Sequence, residues 1–259
     1  MLAGVCRLCL ETKLLRKSHF IPAALYPKHR KPNYATRSCS GPLDSKAKHI
    51  RAHLLCADCE QRFEQGGESE VLHWVNPKGT FRLHERLSIA LPRDYNPFDL
   101  DQSINRYSGA DIGVDTDKFA YFAISIVWRG AVHDWIMPDG TMRPHDALGG
   151  FVEPMRLYLL GQTSLPSDTS VIVIACSDDE SRKVWNTPQV HVEADCLNFR
   201  FLTFGIMFRV MMGYRQWPYF RDHCCTSPRK CLFYGSAKHR IREIMQIFDD
   251  VPREEPTQP

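Results

Sequence analysis

Two Cys-x-x-Cys pairs carry the clearest chemistry in this chain, CRLC at 6–9 and CADC at 56–59, with 46 residues between them. Four thiolates in two such turns suit the tetrahedral preference of Zn2+, because each turn aims two sulfurs and neighbouring amides at one ion. Cys6, Cys9, Cys56 and Cys59 are therefore predicted to hold a structural zinc. The long interval is no obstacle, since closure entropy grows only logarithmically with loop length. Structural zinc supplies roughly 10–16 kcal/mol of apparent binding free energy in small finger peptides, enough to order a segment with few core residues. A redox role for the same pairs is the alternative, and it predicts thiols that titrate freely without a chelator.

The interval between the pairs is rich in Lys, His, Ser and Pro and reads as loop with room for one hairpin. From Lys13 to Arg51 ten basic residues (Lys13, Arg16, Lys17, Lys28, Arg30, Lys31, Arg37, Lys46, Lys48, Arg51) face one acid, Asp44. Such a run attracts a phosphate backbone with salt-dependent, sequence-independent affinity, although charge alone describes a solvated basic loop equally well. The asymmetry extends to the whole chain. Residues 1–86 hold 15 Lys+Arg against 8 Asp+Glu, whereas residues 87–259 hold 18 against 22.

Inside the same interval lies SHFIP at 18–22, followed by HLLCADCEQRF at 53–63. In order and spacing these elements, after CRLC, resemble the zinc-stabilised HNH, or His-Me finger, nucleases, over about residues 1–70. The resemblance implies a ββα, treble-clef-like unit that holds a divalent metal, Mg2+ or Mn2+, beside a histidine. It places His19 as general base, His53 or His49 as its imidazole neighbour, and Glu60 as metal ligand, with Glu64 one helical turn further on. Ser18 stands where the family has an aspartate, and Glu60 where it has His or Asn. The implied activity is hydrolysis of nucleic-acid phosphodiesters, DNA before RNA, in a bacterial or phage conflict system. The alternative is an inactive zinc-binding module that docks nucleic acid or a protein partner.

The elements that must position these residues are those of an ordinary globular chain: 259 residues, 43% hydrophobic and 24% charged, with a net charge of +3. That composition excludes a disordered or fibrous protein. No apolar run approaches the roughly 18–20 residues of a membrane span. Arg7 and Glu11 interrupt any secretory signal, so the expectation is a cytoplasmic protein with reduced thiols and no membrane partner. The fold class expected is α+β, with a zinc-binding unit over 1–86, a connecting loop over 87–117 and a mixed helix and strand domain over 118–259.

Leu55, Cys59 and Phe63 recur at helical spacing, with Gly66 and Gly67 as a break or kink. Asp115 or Thr116 caps a predicted helix through KFAYFAISIVWRGAVHDW, and a second helix is expected over 150–160. SVIVIAC at 170–176 reads as a buried strand, with further strands over 190–195 and 199–212 and a terminal helix over 239–248. His223, Cys224, Cys225, Cys231 and His239 fit no common finger, so the thiols read as small buried apolar groups. Trp128 and Arg129 read as a buried aromatic and a hydrogen-bonded cap. Residues 87–259 announce no catalysis, and substrate restriction, a protein partner or a homo-oligomer contact is the role left to them.

Overall fold

A computed structural model of the chain describes residues 2–26, 37–38, 41–42, 49–95, 104–137, 142–143, 148–179, 181–183, 185–193, 196–213 and 221–236. The expected terminal helix over 239–248, along with Cys39 and His239, lies outside these residues. Strand β1, Leu2–Val5, turns through residues 6–11 into the antiparallel β2, Thr12–His19. Strand β3, Arg51–Cys56, pairs with the other edge of β2 and sets Arg51 opposite His19. The register shifts between Leu15 and Lys17, and the consecutive Leu54 and Leu55 are both buried, which strict two-residue alternation would forbid.

Strand β3 runs straight into α1, Ala57–Phe63. The glycine pair, expected as a break or kink, lies in one widened turn of π-helix, Glu64–Glu68, from which α2, Ser69–Val75, continues. The reason is steric. A Cβ on Gly67 would lie 2.5 Å from the Lys118 carbonyl oxygen and 2.7 Å from the Phe122 nitrogen, backbone atoms of another helix that cannot yield. Glycine here admits helix-to-helix contact at backbone distance, and the π turn is the way an α-helix absorbs one extra residue without ending.

After α3, Arg82–Ile89, the stretch expected as a connecting loop carries the two-residue strand Asp94–Tyr95 and β4, Ile104–Ser108. Helix α4, Thr116–Ala131, begins where the cap residues said it should: the Asp115 carboxylate accepts the Asp117 and Lys118 amides. It is buried on nearly every side. The later elements are α5, Val152–Leu159, then β5, Thr169–Cys176, β6, Gln189–Glu193, β7, Cys196–Thr203, β8, Ile206–Met212, and β9, Cys231–Gly235. The expected 199–212 run is thus two strands, reversed at Phe204 and Gly205, both with positive φ.

The larger sheet has seven strands in the order β6, β7, β8, β5, β9, β4 and Asp94–Tyr95. Its neighbours are antiparallel except β5 with β9. Phe119 and Phe122 of α4 pack on this sheet through Phe208, with Phe122 also near Phe201, while the opposite side of α4 meets the π turn. One continuous apolar core therefore runs from Cys6 and Leu8 through α4 to Leu232. The architecture is α+β.

Gly67→Ala is expected to cost about 2 kcal/mol or more through overpacking against backbone. That should appear as a fall in melting temperature of roughly 4–8 °C by calorimetry. Gly150→Ala, with nothing within 4 Å of the added methyl, should leave the transition where it is.

Candidate functional site

The four predicted cysteines come together. The turn after β1 presents Cys6 and Cys9, closed by Cys6 N–H to the Glu11 carbonyl at 2.9 Å and by Leu10 N–H to the Cys6 carbonyl at 2.9 Å. Leu10 takes a left-handed φ of 62° to complete it. Cys56 caps α1 and Cys59 lies in its first turn, so the strand-to-helix junction delivers the second pair. All four Sγ atoms lie within 4.8 Å of one another, and three of the residues are buried. The Cys9 and Cys56 sulfurs are 3.9 Å apart, close to the edge of about 3.8 Å that a tetrahedron with Zn–S bonds of about 2.3 Å requires. A metal such as zinc fits this set.

The electrostatics divide the thiols, lowering Cys6 and raising Cys9 and Cys59. The Cys6 thiol is pulled down to about 4, first by its hydrogen bond with Cys59 and then, against its own burial, by the amides of Cys9, Cys56 and Leu8. The same contact, with burial, pushes the Cys59 thiol up. The knuckle is also braced from the far side of the chain. Arg156 of α5 donates to the Leu8 carbonyl at 2.7 Å while paired with Glu153.

The second cluster surrounds the end of β2. His19 is partly buried, and its Nε2 meets His49 Nδ1 at 3.1 Å. Tyr26 stacks on His49 with ring centroids 4.7 Å apart, and its hydroxyl donates to the Ile50 carbonyl at 3.1 Å. Burial, then His49, Arg51 and Arg129, hold the His19 imidazole below its ordinary pKa, which favours the neutral ring. The imidazole neighbour is thus His49. His53 lies opposite Lys17, with its Nδ1 3.4 Å from the Leu15 carbonyl oxygen.

Ser18 is buried, and its hydroxyl accepts the Leu55 amide at 3.1 Å while bonding the Glu60 carboxylate. Burial raises the Glu60 pKa, opposed by Arg129 and by the Ser18 bond. Its Oε1 is buried without a hydrogen-bond partner among the described residues. Glu64 is exposed one turn along and does not join it.

Arg129, read as a hydrogen-bonded cap beside a buried aromatic, is hydrogen-bonded to a partner on another element. It is 1% exposed, pairs through Nη2 with Glu68 Oε1 at 2.7 Å, and lies 4.6 Å over the Phe63 ring. It acts electrostatically on both His19 and Glu60. The available signal was a single charge inside an apolar helix, which must find a counter-ion once buried.

Of the basic residues, Arg16, Lys17 and Arg51 are exposed around the small sheet. Lys13 is occupied by Glu11 at 2.8 Å and Asp58 at 3.1 Å. Lys28, Arg30, Lys31, Lys46, Lys48 and the side chain of Arg37 lie outside the described residues. Among the described residues the four cysteines are the group whose ligand atoms converge for a metal, and Cys224, Cys225 and Cys231 are buried thiols that form no such group. No helix among them is long and apolar enough to cross a membrane. Compared with protein-family models, curated proteins and solved structures, the chain matches none.

Metal analysis of the purified chain should find about one zinc per molecule, and Cys6→Ser or Cys59→Ser should retain about a tenth of it or less, with a lowered melting temperature. Freely titrating thiols in the wild type, with no metal bound, would instead favour the redox reading of the two pairs.

Proposed function

We propose that residues 1–75 form a treble-clef-like, zinc-stabilised ββα unit of the HNH kind, and that it hydrolyses phosphodiester bonds of nucleic acid, DNA before RNA. The observation that carries the reading is that β2 ends in Ser18 and His19, with the half-buried Glu60 carboxylate, on the helix that follows β3, interacting with Ser18. In this scheme zinc on Cys6, Cys9, Cys56 and Cys59 is structural, fixing the strand-to-helix junction that carries Glu60.

His19 takes the proton of an attacking water, with His49 setting the ring orientation through the 3.1 Å contact. Glu60, with its orphaned Oε1, is the carboxylate suited to a hard cation such as Mg2+ or Mn2+. Such a cation supplies Lewis acidity at the scissile phosphate and charge for the leaving oxygen. Ser18 holds Glu60 in place. Arg16, Lys17 and Arg51 are exposed beside the site and suit the phosphate backbone.

One observation favours the inactive docking module. The Ser18 hydroxyl, at the position where the family has its metal-binding aspartate, is committed to the Leu55 amide and to Glu60.

Supercoiled plasmid incubated with Mg2+ or Mn2+ separates the two readings. Wild type is expected to nick it, His19→Ala and Glu60→Gln to lose about 100-fold or more in rate, and zinc content to stay constant in all three. Cleavage that persists in His19→Ala removes the assigned base. No cleavage by wild type, together with DNA binding that weakens steeply with salt, points to the docking module. Under either reading Lys17→Ala should weaken DNA binding across unrelated sequences and reduce the salt slope by about 1.

A further inference from the structure

The remaining charged group beside the site comes from outside the zinc-binding unit. Arg129 lies in the last turn of α4, the helix that packs on the seven-stranded sheet. Its side chain is 1% exposed. Nη2 bonds Glu68 of the π turn at 2.7 Å, and the guanidinium lies 4.6 Å over Phe63, the last residue of α1. Nε and Nη1 are buried without hydrogen-bond partners among the described residues. Its main chain reaches the other half of the site. The Arg129 carbonyl accepts the Trp135 indole N–H at 3.0 Å, and that indole stacks on Phe20, the residue after His19, with ring centroids 4.8 Å apart and planes 14° from parallel.

We infer that Arg129 is a positioning residue for the candidate site, tying the helix that carries Glu60 and the strand end that carries His19 to one point on the core helix α4. The inference rests on the reading of His19 and Glu60 given above.

A purely structural ion pair with Glu68 would satisfy the buried guanidinium at the least cost if both its outer nitrogens and Nε found acceptors. Here only one nitrogen is bonded, while the cation stands within electrostatic reach of His19 and Glu60. Leaving donors of a buried cation unpaired is expensive, and such groups persist where the surrounding structure holds them for another purpose. Planarity matters as well. A guanidinium can lie flat on Phe63 and bond Glu68 edge-on at once, which a lysine ammonium cannot reproduce.

The test compares Arg129→Met, Arg129→Lys and Glu68→Gln, each checked for bound zinc and for cooperative melting. Titration of the His19 imidazole is followed by NMR, and plasmid cleavage is resolved into kcat and KM. The groups around His19 are His49, Tyr26 and Arg51, with Arg129 acting on it electrostatically from α4. Removing the cation in Arg129→Met should move the His19 titration upward by roughly half a pH unit. Glu68→Gln, which strips the cation of its counter-ion, should move it downward. In cleavage Arg129→Met should lower kcat about 100-fold with KM nearly unchanged, and Arg129→Lys should restore the His19 titration while recovering only part of kcat.

A His19 titration that is the same in wild type, Arg129→Met and Glu68→Gln overturns the inference, as does an Arg129→Met enzyme of unaltered kcat. If Arg129→Met does not fold, the direction of the shift in Glu68→Gln decides: downward supports the inference, and no shift overturns it. If wild type does not cleave DNA, the nuclease reading fails on its own. The opposed NMR shifts still decide whether Arg129 governs His19.

Discussion

The close approach of the π turn to helix α4 is the constraint on which the rest of the molecule depends. At Gly67 the two backbones stand so near that a methyl group would fall 2.5 Å from the Lys118 carbonyl. At that separation side chains on either side of the contact, Phe63 and Tyr121 among them, meet directly at ring distance. The segment that carries the four cysteines therefore shares the interior of the molecule and is no bead tethered beside it. Tyr121 closes the same junction on a third element, donating from its hydroxyl to the Leu159 carbonyl at the end of α5 at 2.7 Å.

This arrangement explains why the four-cysteine turn is braced from a distance. Metal coordination fixes the sulfurs but leaves the knuckle free to rotate as a body on its sheet. Arg156 on the Leu8 carbonyl and Arg62 on the Leu160 carbonyl remove that freedom with two charge-assisted bonds running in opposite directions between the unit and α5. The aromatic wall around His19 follows the same logic. Tyr26, which stacks on His49, has Trp185 of the later chain 5.3 Å away on its other side. A site that looks local in sequence is enclosed by residues more than a hundred positions distant.

Much of the local structure was legible before any coordinates, and for physical reasons. Asp115 capped its helix because a short carboxylate before an apolar 3.6-residue pattern has amides to accept, and SVIVIAC formed a strand because a short β-branched run bounded by polar residues suits burial on both faces. The cysteine spacing was legible because metal geometry constrains sequence directly. Strand β4 was not. INRYS has neither a β-branched run nor clean alternation, and it is a strand because Cys231–Gly235 offers it a ladder more than 120 residues later. The glycine pair was read as a break or kink, with no choice between them, because local propensity contains no information about Lys118 and Phe122. Arg129 was read as a cap because its partner, Glu68, lies 61 positions away.

The same distinction bears on what the chain does. Residues that bind metal are set by local spacing, so a zinc knuckle survives in many contexts and says little about activity. Residues that would act on a phosphodiester must be held against one another, and here that holding comes from outside the knuckle. Glu60 interacts with Ser18 on β2, His19 meets His49 and is followed by Phe20 stacked on Trp135, and Arg129 bonds Glu68 through its side chain and Trp135 through its carbonyl. A module that only docked a partner would have little use for an incompletely bonded cation at the centre of its core, because a hydrophobic side chain of similar volume packs there at less cost. The expense of burying Arg129 is intelligible if the helix that carries it serves a site as well as a fold, which would draw the larger part of this chain into the function proposed for the smaller part.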